Sequence, residues 1–450
     1  MLNAASHHDP CVAYRINGTD DRRRPSPVHG RTCSAPFISP LWKCRRIVCL
    51  NHAPQNRCAT LLGAAGMKDD GVVICMATKV ESMRTDPNRV VVGMSGGVDS
   101  SVAAGLLVEQ GYDCIGITIK TYRYEDVGGN VGNDSSCCSL DGINDARRIC
   151  LQLGMPHYTV DFSATFREKV IDYFIDDYMA GNTPNPCVRC NRTIKWREML
   201  RKADNLGAEY IATGHYAVIM YDPTSGRRWI RRSPDASKDQ SYMLWSVEQE
   251  LLARTLFPLA GFTKPQSRSE AERLSLDIAA KGESYEICFI PDNDYRRFLR
   301  DNVDDIDQHV GRGSILLDGK VIGTHDGYPF YTIGQRKGLG IAHAEPLYVL
   351  DVLPQTNTVV VGTEDRLYHT ALEAKDVNLQ KYADLREPRE LVAKIRYKDA
   401  GCAATCWTDD EGTLHVRFTE PRPAITRGQS VVLYEGDDVV GGGIITTAHE

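Results

Sequence analysis

The sequence predicts an α/β protein in which a doubly wound parallel sheet is followed by a small central domain and a C-terminal β-barrel-like domain. Two observations support this prediction. Between Arg89 and Thr213, short apolar strands alternate with helical segments, which is typical of a parallel sheet covered by helices. After Gly311 the helical periodicity fades, and short β-type runs separated by turn pairs such as Asp318-Gly319 dominate.

The elements of the first region follow one another in a regular order. Residues 89–94 form a short apolar run typical of a buried strand, and residues 101–110 have helical spacing and end at Gly111, a favourable helix C-cap. The later strands are predicted at residues 113–120, 158–162 and 210–213, and the helices at residues 143–153, 164–180 and 193–205. This alternation indicates a parallel sheet.

The pattern changes after about residue 235. Helical spacing occurs at residues 241–256 and 267–280, and strands are then predicted at residues 314–317, 348–352, 358–361, 391–397, 413–418 and 430–434. We therefore predict an α/β domain at residues 87–294, a small β-rich central domain at 295–364 and a β-barrel domain at 365–450. Residues 253–275 are expected to pack against the central domain.

The composition is that of an ordinary globular protein. The chain has 450 residues, of which 42% are hydrophobic and 25% charged, with a formal net charge of −6. These proportions exclude a collagen, a mostly disordered chain and a coiled-coil rod, and no apolar run is long enough for a transmembrane helix. Because the overall charge is negative, a nucleic-acid partner would have to bind local basic patches.

The first 86 residues differ from the rest of the chain. Residues 1–60 hold nine Lys or Arg and three acidic residues, with scattered Pro and Cys and no sustained period. We expect this segment to be disordered or a mis-annotated extension, with Met67, Met76 and Met83 as other start sites. A mitochondrial transit peptide is the alternative, weakened by two consecutive acidic residues and many prolines.

The fifteen cysteines form no regular framework, and the N-terminus lacks the apolar core of a signal peptide. A chain of this length does not need a disulfide scaffold. We therefore expect reduced thiols and a cytoplasmic protein, some of whose cysteines are functional.

The most informative segment is Ser95-Gly96-Gly97-Val98-Asp99-Ser100-Ser101, between a predicted strand and a predicted helix. Glycines let the backbone approach an anion, and a helix N-terminus presents N–H groups and a positive dipole end. Asp99 would repel a phosphate unless a metal lies between them, which indicates Mg²⁺ bound with a nucleotide. The loop lacks the lysine of a Walker P-loop and the spacing of a dinucleotide turn.

A second informative segment is Thr183-Pro184-Asn185-Pro186-Cys187-Val188-Arg189-Cys190-Asn191, interpreted as a proline-braced loop before a helix. A thiol near a helix N-terminus has a lowered pKa, which favours a reactive thiolate. Half of a zinc site or a buried pair of thiols are the structural alternatives. Taken alone, Cys288 is interpreted as a core thiol in a strand.

Six separated motifs together resemble the tRNA-specific 2-thiouridylases, members of the PP-loop ATP pyrophosphatase superfamily. In order they are SGGVDSS from Ser95, TPNPCVRCN from Thr183, TGHYA from Thr213, KDQSY from Lys238, SYEICFI from Ser284 and YTIGQRKGLG from Tyr331. The resemblance begins near Arg89 and extends to the C-terminus, about four-fifths of the chain. The α/β domain is then a PP-loop domain.

The resemblance implies an ATP-dependent tRNA sulfurtransferase. ATP adenylates the C2 oxygen of the wobble uridine in the anticodon stem-loop, and sulfur from a cysteine persulfide replaces that oxygen to form 2-thiouridine. It gives the persulfide role to Cys288 and the nucleophile role to Cys190. It also implies a separate persulfide donor or relay protein and no membrane partner.

The resemblance also implies two sets of binding residues. ATP is expected at Gly93, Met94, Ser95, Gly96, Gly97, Val98, Asp99 and Ser100, with Ile119 and Gly214 beside them. tRNA is expected at Asn185, Pro186, Cys187, His215, Lys238, Asp239, Gln240, Arg396, Tyr397 and Gln429.

The chain departs from the family at Cys187, where many members carry Asp. Cys187, Cys190 and Cys288 could then converge as three ligands of an iron–sulfur cluster with an open position for sulfide. Persulfide transfer and cluster-assisted sulfuration both remain open, and we favour the persulfide.

Two other classes of protein compete with this interpretation. A PP-loop ligase or amidating enzyme would share the loop but would not need Cys190 and Cys288. A non-enzymatic, metal-binding RNA module would leave the glycine-rich loop unexplained. For Arg227, Arg228, Arg231 and Arg232, which flank Trp229 in a predicted hairpin, we expect a solvated turn, with contact to tRNA phosphate as the alternative.

Overall fold

The computed structural model describes residues 85–123, 140–278, 287–290 and 292–449, and the backbone of four short strands nearer the start of the chain. These strands are β1 (Val12–Arg15), β2 (Arg46–Val48), β3 (Ala59–Leu62) and β4 (Val73–Met76). They pair antiparallel in the order β1-β4-β3-β2, within a unit, Met1–Met83, that is distinct from Arg84–Glu450. Most of residues 1–84 lies outside the described residues, so the expected disorder stays a prediction.

The second unit begins with alternating strands and helices, as the sequence predicts. They are β5 (Asp86–Gly93), α1 (Val98–Glu109), β6 (Asp113–Lys120), α2 (Leu140–Gln152), β7 (His157–Asp161), α3 (Ser163–Phe166), α4 (Asp172–Met179), α5 (Pro186–Cys190), α6 (Met199–Asn205) and β8 (Ala208–Ala212). Two π-helical stretches, Arg167–Ile171 and Asn191–Glu198, join α3 to α4 and α5 to α6. The predicted helices over 164–180 and 193–205 are therefore continuous but not purely α-helical.

Two sequence predictions in this region are wrong in detail. The helix predicted from residue 193 begins at Pro186, because Asn185 Oδ1 accepts from Val188 N (3.3 Å) and the proline occupies the first turn. The helix predicted over 241–256 is instead a 3₁₀ turn at Ser241–Leu244, a short α7 (Gln249–Ala253) and a strand β11 (Thr255–Leu256). Between them, residues 245–248 are not helical, and Trp245 and Val247 belong to an apolar cluster that includes residues of the barrel.

The five-stranded sheet is parallel throughout and has the order β11-β8-β5-β6-β7. Val90, Val91 and Val92 of the central strand are fully buried, since helices cover both faces. The chain winds outward from β5 to β6 and β7, and then in the opposite direction through β8 and β11. The point where the winding reverses lies between β5 and β8, and in open α/β sheets ligands bind outside the carboxyl ends of such strands.

A hairpin and a helix complete this domain. The hairpin is β9 (Val218–Tyr221) with β10 (Arg228–Arg231), and the helix is α8 (Lys264–Arg273). The predicted hairpin around Trp229 is therefore confirmed. The expectation that the hairpin arginines lie in a solvated turn is wrong. Arg227 donates to Leu379 O and Gln380 O, and Arg231 pairs with Asp438.

The central region contains two helices and a mixed sheet. They are α9 (Tyr295–Asn302), α10 (Ile306–His309), β12 (Gly313–Leu317), β13 (Lys320–His325), β14 (Tyr348–Leu353) and β15 (Thr358–Gly362). The sheet order is β13-β12-β15-β14. Its core is continuous with that of the first domain, since Phe174 of α4 stacks edge-to-face on Phe289 and Phe298.

The C-terminal region is a closed, six-stranded antiparallel barrel. Its strands are β16 (Tyr368–Leu379), β17 (Arg389–Lys394), β18 (Cys402–Thr408), β19 (Leu414–Pro423), β20 (Ser430–Glu435) and β21 (Asp438–His449). The order β16-β19-β18-β17-β20-β21 closes because β21 also pairs with β16. The β9–β10 hairpin adds to β21 at the pair Arg231 and Asp438. The predicted fold class, an α/β domain followed by a central domain and a barrel, is confirmed.

Candidate functional site

The glycine-rich loop lies at the carboxyl end of β5, where the sheet changes its winding direction. Gly96 has a φ of +68°, and a Cβ there would lie 2.1 Å from Gly142 O of α2, so only glycine fits. Among the described residues, no side chain caps the N-terminus of α1. Its first N–H groups are therefore available to an anion, as the sequence predicts.

The serine hydroxyls of this loop brace the loop itself. Ser100 Oγ accepts from Ser95 N (3.2 Å) and donates to Gly97 O (3.1 Å), while Ser101 Oγ donates to the same carbonyl (2.8 Å). Ser100 and Ser101 are buried. Their hydroxyls therefore hold the curvature of the loop, a positioning role in addition to the phosphate contacts we expected.

A charge network surrounds Asp99, the acidic residue of the loop. Lys264 Nζ lies 2.8 Å and 2.9 Å from the two carboxylate oxygens, and Tyr216 OH donates to Oδ1 (2.6 Å). The same hydroxyl lies 2.8 Å from Ser267 Oγ of α8. The negative charge for which the sequence predicts a metal partner is thus balanced in part by a lysine.

Sequence reasoning missed Lys264 because it placed the start of the helix at Ser267. The sequence contains a signal for a helix that begins three residues earlier, at Lys264. Thr263 and Gln266 form a capping box, and Pro265 stands in the first turn, which is a sequence signature of a helix N-terminus.

The segment after β8 faces the glycine-rich loop from the other side of the reversal point. A Cβ at Gly214 would lie 2.6 Å from the carbonyl carbon of Asp99, so this glycine allows the two loops to touch. His215 Nδ1 lies 2.8 Å from Thr213 Oγ1. Burial, with a smaller effect of Lys195, lowers the pKa of His215 to about 3, so its ring is neutral.

Both candidate catalytic cysteines contact the same hydrophobic core. Cys190 is buried near the C-terminal end of α5, and Cys288 is half-buried in a turn beside Phe289. Cys190, Phe289 and Ile194 belong to the same apolar cluster, against which Cys288 packs. Cys190 is thus a full turn inside a helix rather than in a loop, and Cys288 is in a turn rather than a strand.

Cys187 has a different environment, because it stands exposed in the first turn of α5. Among the described residues, which include all three cysteines, no group of three His, Cys, Asp or Glu side chains is placed to hold a metal ion. The three-cysteine cluster considered from the sequence therefore stays a prediction, and we derive no step through one.

Several of the residues expected to bind tRNA lie along the seam between the first domain and the barrel, whereas His215 packs near Trp196 and Phe257 of the first domain. Tyr397 OH donates to Asp239 O (3.1 Å), and Gln240 Oε1 accepts from Tyr216 N (2.9 Å). Arg396 is exposed beside Tyr397. The structure thus brings two of the separated motifs, TGHYA and KDQSY, to one place, where Tyr397 from the segment after β17 also lies.

Gln429 has a second role that the sequence did not suggest. Its Nε2 donates to Thr183 O (2.9 Å) and Pro184 O (3.2 Å), and Thr183 N donates to Arg427 O (2.8 Å). The barrel turn thereby holds the segment that leads into α5 and its cysteines.

Comparisons with known proteins agree with this arrangement. Residues 88–292 match the model of the tRNA methyl transferase HUP domain, residues 300–363 that of the tRNA methyl transferase PRC-barrel domain, and residues 369–445 that of the aminomethyltransferase beta-barrel domain. No helix in the described part of the chain is both long and apolar enough to cross a membrane.

Two relatives are similar over most of their length. The chain is 52% identical to a tRNA-specific 2-thiouridylase MnmA of Salinibacter ruber over 79% of this chain and 94% of that protein. It is 50% identical to one of Amoebophilus asiaticus over 79% of this chain and 95% of that protein. Among solved structures, a 4-thiouridine synthetase–RNA complex with bound ATP overlaps 52% of this chain and 56% of that chain at 19% identity, with a TM-score of 0.32. That overlap is too partial to carry an argument.

The fold and the site define a nucleotide-binding α/β enzyme with an appended barrel. At this level of identity and coverage, the chain belongs to the tRNA-specific 2-thiouridylase family.

Proposed function

We propose that this protein uses ATP to replace the C2 oxygen of the tRNA wobble uridine with sulfur from a cysteine persulfide. The proposal is carried by the presence of two features in one chain. A glycine-rich loop suited to an anion lies at the reversal point of the sheet, and Cys190 and Cys288 contact one apolar cluster. A PP-loop ligase would need the loop but neither thiol. Membership of the 2-thiouridylase family supports the sulfur chemistry.

The first step activates the base. The triphosphate would bind at the backbone of residues 93–100, with Ile119 and Gly214 beside the nucleoside. The uridine C2 oxygen attacks the α-phosphate, and pyrophosphate leaves. The N-terminus of α1 stabilises the phosphate charge through its N–H groups and dipole.

Asp99 is the residue that would hold Mg²⁺ together with the nucleotide. A carboxylate offers about four lone-pair sites, and its described partners, Lys264 and Tyr216, use three. A magnesium ion bound through one carboxylate and the substrate phosphates is the usual arrangement, and it neutralises phosphate charge during the reaction.

The second step transfers sulfur. The terminal sulfur of a Cys288 persulfide attacks C2, and the bond from C2 to the adenylated oxygen breaks as AMP leaves. The Cys190 thiolate then attacks Cys288 Sγ, so that a disulfide forms and one sulfur stays on the base. A thiol reductant must restore both cysteines before the next cycle. The apolar cluster around them limits hydrolysis of the persulfide.

The partners follow from these steps. The anticodon stem-loop would lie on the seam between the first domain and the barrel and contact Asn185, Pro186, Cys187, His215, Lys238, Asp239, Gln240, Arg396, Tyr397 and Gln429. A separate persulfide donor would load Cys288. The need for reduced thiols favours a cytoplasmic location.

The test is thiolation of unmodified tRNA with ATP and a persulfide donor, in which AMP and thiolated tRNA are measured together. Cys288→Ser should lose the reducible, protein-bound sulfur. Cys190→Ser should acquire that sulfur but fail to transfer it. Cys402→Ser is the matched control and should keep full activity. Cys402 is a barrel thiol that donates a hydrogen bond to Ala403 O. AMP formation without thiolated tRNA in the parent protein would exclude the proposal.

A further inference from the structure

Lys264 occupies an unusual position for a lysine. It stands in the first turn of α8, where the positive end of the helix dipole disfavours a cation. Its side chain is only 10% exposed, and that of Asp99 is 33% exposed. A buried ammonium in such a place needs an anionic partner, and its Nζ binds both oxygens of Asp99 at 2.8 Å and 2.9 Å.

The position of Lys264 is itself fixed from several directions. The capping box of Thr263 and Gln266 sets the start of α8. The backbone N–H of Lys264 donates to Asp235 Oδ2 (3.0 Å), so the loop at residues 233–240 also holds it. Tyr216 binds Asp99 Oδ1 and approaches Ser267 of α8, which closes the network. The ammonium is thus held against the glycine-rich loop.

The electrostatic consequence concerns any phosphate that enters this loop. Asp99 is in the first turn of α1, among the N–H groups that would bind the anion. An unbalanced carboxylate there would offset the positive end of the helix dipole and repel the incoming phosphates, and such repulsion is several-fold stronger at a partly buried site than in water. A balanced carboxylate leaves the helix N-terminus attractive to anions.

We propose that Lys264 is a positioning residue of the ATP site that acts through Asp99: its ammonium offsets the charge of the carboxylate and fixes its orientation, so that Asp99 can lie beside the entering phosphates without repelling them. This inference rests on the proposed ATP site. It assigns to Lys264 an effect on phosphate affinity that disappears once the Asp99 charge is removed.

The test is a double-mutant cycle on the full chain, with inorganic pyrophosphate and ATP as probes and calorimetry as the readout, in the presence and absence of Mg²⁺. Lys264→Met should weaken the binding of both probes about tenfold or more. Lys264→Met combined with Asp99→Asn should restore most of that affinity for pyrophosphate without Mg²⁺, since no carboxylate charge remains. Lys264→Arg should stay near the parent.

Arg273→Met is the matched control, because it removes a cation from the same helix whose partners are Glu109 and Glu270. It should leave pyrophosphate affinity unchanged. If the double variant binds pyrophosphate as weakly as Lys264→Met, the effect does not pass through Asp99 and the inference is wrong. Parent-like affinity in Lys264→Met also overturns it while leaving the ATP site intact. Absence of binding by the parent protein overturns the ATP site and the inference together.

Discussion

At the scale of single residues, His215 shows how environment selects a role. Its ring packs near Trp196 and Phe257, and burial lowers its pKa to about 3. An imidazole that stays neutral cannot attract a phosphate by charge. Its proposed contact with tRNA is therefore a hydrogen bond or a stacking contact with a base.

The same pKa predicts how stability depends on pH. The ordinary pKa of histidine is 6.5, so between pH 6.5 and pH 3 the unfolded chain binds more protons at this residue than the folded chain. The free energy of unfolding should fall as pH is lowered through this window, by up to about 2 kcal/mol between pH 6.5 and about pH 5. His215→Gln should remove that part of the slope, which urea unfolding of both proteins would measure. Parallel slopes in the two proteins would contradict the prediction.

Cys187 provides a second prediction at this scale. It is exposed in the first turn of α5, and the three thiols do not form a metal site among the described residues. Cys187→Ala should therefore retain substantial thiolation in protein from which iron has been removed. Activity that requires reconstitution with iron and sulfide, and is lost in Cys187→Ala, would contradict persulfide transfer.

At the scale of elements, the barrel turn at residues 427–429 acts on the cysteine helix. A Cβ at Gly428 would lie 2.9 Å from Thr183 O, Gln429 donates to two carbonyls of the same segment, and Arg427 also reaches Asp351 and Val352 O of β14. The turn therefore joins the three domains just before α5 begins. Binding of tRNA to the barrel would therefore affect the position of Cys190.

Gln429→Ala should reveal this positioning role. Loss of two hydrogen bonds at a partly buried site should lower the free energy of unfolding by about 1 to 2 kcal/mol. Sulfur transfer should slow, and alkylation of Cys190 should become faster, a change in cysteine reactivity that the loss of a tRNA contact alone would not produce. Gln308→Ala, on the exposed α10, is the control. A large loss of tRNA affinity with unchanged Cys190 reactivity would show direct contact instead.

The sequence predicted the secondary-structure elements better than the contacts between them. Strand 113–120 was predicted with its observed bounds, because its apolar pattern is strong and local. The pair of Lys264 and Asp99 spans 165 residues, and no local pattern reports a contact of that kind. The start of α5 was missed because Pro186 was interpreted as a loop residue, although Asn185 before it signals a cap. The resemblance supplied the expected site residues, which stay predictions, while the structure shows the contacts of those that it describes.

At the scale of the whole molecule, a net charge of −6 must be reconciled with a polyanionic substrate. We therefore expect binding to depend on basic groups at the seam, one of which, Arg396, is exposed. The affinity for tRNA should fall steeply with salt, and Arg396→Gln should reduce the log–log salt slope by about one if it meets one phosphate. Filter binding over a range of salt would measure this, with Arg312→Gln in the central region as control. An unchanged slope would remove Arg396 from the interface.

The barrel also supports the first domain. Gln380 Nε2 lies 2.9 to 3.1 Å from Leu244 O, Trp245 O and Val247 O. Removal of residues 365–450 should therefore lower the melting temperature of what remains, in addition to weakening tRNA binding more than ATP binding. Thermal unfolding and ATP titration of the shortened chain would separate these effects. An unchanged melting temperature would show that the barrel is only a binding module.

The hairpin of β9 and β10 has a consequence for synthesis. The strand partner of Arg231 is Asp438, 207 residues further along the chain. At 5 to 20 residues per second, a ribosome would need roughly 10 to 40 s to make the intervening chain. During that interval the outer edge of β10 has no strand to pair with, and unpaired edges are sites of aggregation. The nascent chain would thus pass through a vulnerable period before its last strand arrives.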